Sequence, residues 1–254
     1  MKKIIKKIAS KAGYEISQKN PLLREDGVPV DIHEAHFIDF FQKCKDFSVT
    51  TVEPLYALFQ SVEYIIENNI PGDFVECGVW KGGSAMMMAY TLMHHGITDR
   101  KIYLYDTYEG MAEPEDVDED FKGIKASHLM ATENKQDDES VWCFCSLEDV
   151  KKNLALTGFP SENLVFVKGR VEETIPAEMP EKIGLLRLDT DWYESTYHEL
   201  KHLYPLLSKN GMLIIDDYGH WKGAREAVDK YFSETKQHLF FNRVDYSVRA
   251  GIKI

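Results

Sequence analysis

Phe74-Val75-Glu76-Cys77-Gly78-Val79-Trp80-Lys81-Gly82-Gly83-Ser84 is the stretch that decides the fold. Its apolar start follows the breaker Asn69-Ile70-Pro71-Gly72-Asp73 and reads as a strand, while its glycine-rich end opens a helical pattern over Ser84 to His94. Glycines at such a turn let the backbone approach a ligand at a helix start. The same alternation recurs downstream. Strand patterns lie at Lys101 to Tyr105, Leu164 to Lys168, Ile183 to Leu188 and Met212 to Ile215, and helical patterns at Leu147 to Leu156, Ser195 to Leu207 and Ala224 to Phe232. This predicts an α/β, Rossmann-like doubly wound and mostly parallel sheet, with ligands bound beyond the carboxyl ends of the strands.

Upstream, residues 1–70 predict a helical extension that ends in an amphipathic run from Pro54 to Asn69, with Leu55, Leu58, Phe59, Val62, Ile65 and Ile66 on one face. Residues 71–254 are then a single globular domain, and Phe240 to Arg249 reads as a hairpin that adds antiparallel strands. Between Tyr108 and Ser146 the alternation breaks into a long acidic stretch that includes Glu113-Pro114-Glu115-Asp116-Val117-Asp118-Glu119-Asp120. A loop of that length inside a compact domain is expected to serve as an active-site lid.

Two strands end in acids: Leu185-Leu186-Arg187-Leu188-Asp189-Thr190-Asp191 and Met212-Leu213-Ile214-Ile215-Asp216-Asp217. Four carboxylates on neighbouring strand tips repel one another unless a cation sits among them, and all-oxygen ligands favour a hard divalent ion such as Mg²⁺.

At 254 residues and 44% hydrophobic content the chain can bury one large core, and its net charge of −12 argues against nucleic acid as a partner. Cys44, Cys77, Cys143 and Cys145 lack zinc spacing and read as reduced thiols. No apolar run reaches transmembrane or signal-peptide length, so the expected location is cytoplasmic. Lys2, Lys3, Lys6 and Lys7, interleaved with Ile4, Ile5 and Ile8, read as a solvated terminal helix, with contact to an anionic membrane left open. Leu55, Phe59 and Tyr64 offer apolar surface to a second copy, so a homo-oligomer, a dimer in the simplest case, is expected.

Four segments carry a resemblance: Pro71 to Ser84, Tyr105-Asp106-Thr107-Tyr108-Glu109-Gly110-Met111, Leu188-Asp189-Thr190-Asp191-Trp192-Tyr193-Glu194-Ser195-Thr196, and Ile215-Asp216-Asp217-Tyr218. In this order, within about Thr51 to Phe232, they resemble the macrocin O-methyltransferase (TylF-like) family of class I methyltransferases. The resemblance implies S-adenosylmethionine (SAM), Mg²⁺ and methylation of a sugar hydroxyl. Where that family usually has Asp-Gly-Asp, this chain has Asp189-Thr190-Asp191.

Residues and resemblance together assign the cofactor to Glu76, Gly78, Gly82, Ser84, Asp106, Thr107, Gly169, Val171 and Asp189. Asp106 can accept both hydrogen bonds of a ribose diol. The ion falls to Asp189, Asp216 and Asp217, and Asp191 is the general base, although the roles of Asp189 and Asp191 can be exchanged. Tyr193, Tyr218 and His128 are the expected acceptor contacts.

The function expected is Mg²⁺-dependent methyl transfer from SAM to a sugar hydroxyl of a glycoside, nucleotide sugar or polysaccharide precursor. The alternatives are a metal-dependent hydrolase on the same acids, or a methyltransferase fold serving as a non-catalytic assembly module.

Overall fold

The structure is a computed structural model that describes residues 22–138 and 140–254. The basic terminal segment read as a helix lies outside the described residues. The chain divides into two units, Met1–Ile38 and Asp39–Ile254. In the first, a short antiparallel bridge joins Leu23 to Pro29, and Arg24 donates to the Ile32 carbonyl. Helix α1 runs over Ala35–Cys44.

In the second unit, α2 (Val52–Glu67) precedes a sheet whose strands are β1 (Asp73–Cys77), β2 (Ile102–Asp106), β3 (Leu164–Lys168), β4 (Ile183–Leu188), β5 (Leu207–Ile215), β6 (Asn242–Arg243) and β7 (Arg249–Ile252). Among the described residues they form one sheet in the order β3-β2-β1-β4-β5-β7-β6. The first five are parallel, and β7 pairs antiparallel with both β5 and β6. This is the doubly wound sheet expected. Every residue of β4 is buried, as befits a central strand covered on both faces. The connecting helices are α3 (Gly83–His94), α4 (Ala126–Thr132), α5 (Leu147–Ala155), the single turn α6 (Val171–Thr174), α7 (Tyr193–Leu203) and α8 (Lys222–Thr235).

The chain leaves β1 toward β2 and β3 on one side, then returns to place β4 on the other. That reversal opens a crevice at the carboxyl ends of β1 and β4, the usual ligand position of such sheets. Leu55 and Phe59 are buried in the chain's own core, and Tyr64 is half-buried. The four cysteines are free thiols. Among the described residues no helix is long and apolar enough to cross a membrane.

Candidate active site

The glycine-rich turn after β1 is held by the strand tips beside it. Gly78 has φ +83°, and a Cβ there would lie 1.9 Å from the Asp189 carbonyl oxygen, so only glycine lets the β1 and β4 ends approach this closely. The Asp189 N–H donates to the Cys77 carbonyl at 2.8 Å, and the Gly78 N–H to that of Tyr105 at 2.9 Å. From the end of β2, Asp106 Oδ2 accepts the Val79 and Trp80 N–H groups at 2.7 and 3.2 Å, and its Oδ1 accepts that of Tyr108 at 2.6 Å. Burial pushes the Asp106 carboxyl up from its ordinary value, and these three N–H groups pull it down. The expected ribose acceptor thus also shapes the turn.

A cleft of about 840 Å³, mouth included, opens above this turn. Gly78, Asp106, Thr107, Gly169, Val171 and Asp189, all expected cofactor contacts, line it. Glu76, Gly82 and Ser84 do not. Glu76 is buried against Arg187, Gly82 starts α3 facing Val150 and Leu154, and Ser84 is buried in the first turn of that helix. The indole Nε1 of Trp80, another lining residue, is buried with no hydrogen-bond partner. An unpaired donor in a cleft wall is what a polar ligand would satisfy.

The acids meet at the far side of this cleft. One oxygen each from Asp189, Asp191 and Asp217 lies within 4.8 Å of the others, a spacing that can hold a metal ion. Asp217 Oδ2 is buried without a partner. Arg187, buried on β4, donates to Glu76 Oε1 at 2.7 Å, Asp189 Oδ2 at 2.7 Å and Asp216 Oδ1 at 2.6 Å. The one guanidinium is thus paired with three of the five carboxyl groups gathered here.

Burial and the crowding of carboxylates push Asp189 and Asp217 well above the ordinary range, with Arg187 opposing the shift at Asp189. Asp191 is raised to about 8, first by burial. This donor set fits a hard divalent cation: all oxygen, and converging.

Asp191 sits in a tight turn at φ +66°, closed by the Trp192 N–H donating to the Thr190 carbonyl at 2.7 Å. An i to i+2 turn with positive φ is rare, and a non-glycine residue there costs on the order of 1–3 kcal/mol. Such strain persists only where surrounding contacts enforce it. Trp192 supplies some of them, donating Nε1–H to the Ala112 carbonyl at 2.9 Å and packing edge-on against Trp221 with ring centroids 4.8 Å apart.

A second cleft, of about 1080 Å³ with its mouth, shares Asp191, Asp216 and Asp217 with the first. The acids therefore stand between two clefts. Its further wall comes from His220, Trp221 and Tyr246, with Thr50 and Thr51 ahead of α2.

Tyr193 and Tyr218, expected beside the acceptor, line neither cleft. Tyr193 stacks on Tyr197 and accepts from Lys230 at 3.0 Å, while Tyr218 donates to Asp229 at 2.8 Å. The turn at Asp191 redirects the chain, so the aromatic two residues on faces outward. His128, on α4, also lies outside both linings. Tyr246 was missed because its hairpin reads as a sheet edge rather than a cleft wall. Arg187 carried a usable signal, a charge inside an apolar central strand.

The acidic stretch between β2 and α5 is anchored. Asp118 is fully buried and accepts the Tyr193 and Glu115 N–H groups at 2.9 and 2.8 Å. Ala126 packs with Trp192, Trp221 and Ala224, joined by Met111 and Leu129. This segment roofs the acids, its Met111 and Ala112 facing the first cleft and its Leu129 the second.

The sequence profile described as macrocin-O-methyltransferase (TylF) matches residues 45–249. The chain belongs to this family. Demethyldecarbamoylnovobiocin O-methyltransferase of Streptomyces niveus is 35% identical over 180 residues, 71% of this chain and 65% of that protein. Mycinamicin III 3''-O-methyltransferase of Micromonospora griseorubida is 34% identical over 172 residues, 67% of this chain and 64% of that one. The chain thus spans a little under two thirds of the length of these relatives.

The solved structure of the O-methyltransferase NovP superposes with a TM-score of 0.71 at 28% identity, covering 82% of each chain. A calicheamicin methyltransferase reaches 0.54 at 17% identity, covering 94% of this chain and 99% of that one, which speaks for the fold alone.

Proposed function

We propose that this macrocin O-methyltransferase family member transfers a methyl group from SAM to a hydroxyl of a sugar-bearing acceptor, assisted by Mg²⁺. The observation that carries the reading is the set of convergent acids between two clefts, one beside a glycine turn and one beside His220 and Tyr246. A donor and an acceptor meeting at the acids need that arrangement. The curated relatives, named as O-methyltransferases, one of them of a rhamnosyl-tetracenomycin C from Streptomyces olivaceus, support the same reaction class.

In the first cleft, Gly78 and the Asp106-braced turn lie where the amino-acid end of SAM and its ribose would rest, and Trp80 Nε1 offers a donor. Gly169 and Val171 form the wall for the adenine ring. SAM supplies an electrophilic methyl group, and a divalent ion beside the acids supplies positive charge that favours an ionised acceptor oxygen.

The chain's own residues do the rest. Asp189, Asp217 and Asp216 would hold the ion, with Asp216 fixed through Oδ1 by Arg187 and facing both clefts. Asp191 takes the acceptor proton on its carboxylate. Beside a bound cation this carboxylate would stay ionised and so able to accept a proton. The anchored roof excludes water from the methyl group.

Of the acceptors considered, an unphosphorylated sugar fits best. The second cleft is lined by Glu133, Asp138, Asp191, Asp216, Asp217 and Asp245, and by no lysine or arginine among the described residues. A nucleotide diphosphate would find no lysine or arginine to pair with in that lining. A hydrolase on the same acids leaves the glycine turn and the first cleft without a role.

Incubation with SAM, Mg²⁺ and matched glycosides and nucleotide sugars, followed by mass detection of added methyl, tests the proposal. Methyl transfer to glycosides that EDTA stops and Mg²⁺ restores is expected. Full activity without metal would remove the ion, and no transfer to any sugar would remove the acceptor class.

A further inference from the structure

Glu199, on the inner face of α7, is fully buried and has no cation among its hydrogen-bond partners in the described residues. Its carboxyl instead receives the Thr190 hydroxyl, at 3.0 Å to Oε1 and 3.2 Å to Oε2, with the Cys77 thiol as a further partner. Thr190 stands between Asp189 and Asp191. It is also the residue whose carbonyl closes the turn at Asp191, through the Trp192 N–H at 2.7 Å.

The turn is thus tied at three points. Before it, the Asp189 N–H is bound to the Cys77 carbonyl; after it, the Trp192 ring is wedged beneath the roof; and where it opens, the Thr190 side chain is anchored by Glu199. Cys77 belongs to both the first and the third tie, so Glu199 braces the β1 and β4 tips together.

We propose that Glu199 is a positioning residue of the acidic site: through the Thr190 hydroxyl it holds the Asp189–Asp191 turn in the shape that brings both carboxylates onto Asp217. The inference rests on the metal reading above for its consequence, but not for its geometry. Glu199 touches no reacting group. Burial pushes its carboxyl above the ordinary range, and the tie itself needs only an oxygen that accepts from Thr190. Glutamine can supply that oxygen, and methionine, of similar length, cannot.

Three variants of the full chain, Glu199→Gln, Glu199→Met and Thr190→Val, test the tie with two readouts. The first is Mn²⁺ affinity by paramagnetic resonance, with S-adenosylhomocysteine affinity of Glu199→Met as a control on the first cleft. The second is hydrogen exchange of the Trp192 amide, which reports closure of the turn without any metal. Glu199→Met and Thr190→Val are expected to weaken Mn²⁺ binding by about tenfold, the usual scale for losing a group that orients a ligand, and to speed Trp192 exchange. Glu199→Gln is expected to restore both.

A folded Glu199→Met with native Mn²⁺ affinity and native Trp192 exchange would overturn the proposal. So would Glu199→Gln failing as badly as Glu199→Met. Should Glu199→Met not fold, Thr190→Val decides by the same two measures. If the unaltered protein binds no Mn²⁺, the metal reading fails, and Trp192 exchange alone judges the tie.

Discussion

Arg187 Nη2 lies 2.6 Å from Asp216 Oδ1, a bond that joins the tip of β5 to the inside of β4. The other nitrogen of the same guanidinium donates to Glu76 and Asp189, so one fixed cation organises three carboxyl groups from three adjacent strands. A lysine could not do this, because a compact ammonium lacks the planar fork that reaches several acceptors at once. Asp191 and Asp217 have no such partner, which leaves room and charge for one divalent ion.

Replacing Arg187 therefore strands buried carboxylates. Arg187→Met is expected to destabilise the folded state by about 3–5 kcal/mol, the range for removing one partner of a buried ion pair. Urea unfolding near neutrality measures the loss. It should shrink on acidification, as the orphaned acids take up protons. A native unfolding midpoint for Arg187→Met would refute the assigned role.

Asp191 is raised to about 8, chiefly by burial, from an ordinary carboxylate value. Between about pH 4 and about pH 8 the folded chain therefore holds a proton that the unfolded chain has released. This contribution to stability is fully present below the lower value and is lost as pH rises through the higher one. Mg²⁺ binds the ionised acids and opposes that loss. The Mg²⁺-induced rise in melting temperature should accordingly be greater near pH 8 than near pH 5, and equal rises at both would contradict the ionisation assigned to the site.

Asp106 acts at a distance as well as in the cleft wall. Asp106→Ala removes the acceptor for three backbone N–H groups that define the turn around Val79. Affinity for S-adenosylhomocysteine by calorimetry should fall by about 1–3 kcal/mol, the scale for losing charge-assisted hydrogen bonds. Unchanged affinity would leave Asp106 a purely structural residue.

The parallel sheet was legible because its signals are local. Ile183 to Leu188 is apolar throughout and bounded, and glycine at Gly78 marks a close approach that the Asp189 carbonyl makes explicit. The acidic tips were legible for the same reason, since strand ends and carboxylates adjoin in sequence.

What escaped depends on direction and distance. The side chain of Tyr193 turns outward because of one left-handed residue, and no periodicity announces a positive φ at an aspartate. Tyr246 reaches the second cleft only because β7 inserts beside β5, a long-range pairing that propensity cannot place. The acidic stretch looked solvated, yet Asp118 is buried because it accepts backbone N–H groups from two segments, one of them distant in sequence.

Asp191 offers the sharpest division of roles. Its oxygen converges with those of Asp189 and Asp217, so geometry alone allows it to bind the ion, whereas Asp216 spends one oxygen on Arg187. The assignment as proton acceptor follows from chemistry: the ion needs ligands that stay ionised, while transfer needs one group that gains a proton and loses it again each cycle. Asp191→Asn keeps the shape of the side chain and removes that capacity. It is expected to bind Mn²⁺ and S-adenosylhomocysteine with near-native affinity and to lose roughly 10²- to 10⁴-fold in turnover, the range for an absent general base. Asp216→Asn should show the opposite order, losing Mn²⁺ affinity first and turnover as a consequence. If Asp191→Asn loses Mn²⁺ while Asp216→Asn keeps it, the ligands are Asp189, Asp191 and Asp217, and the proton must leave by another group.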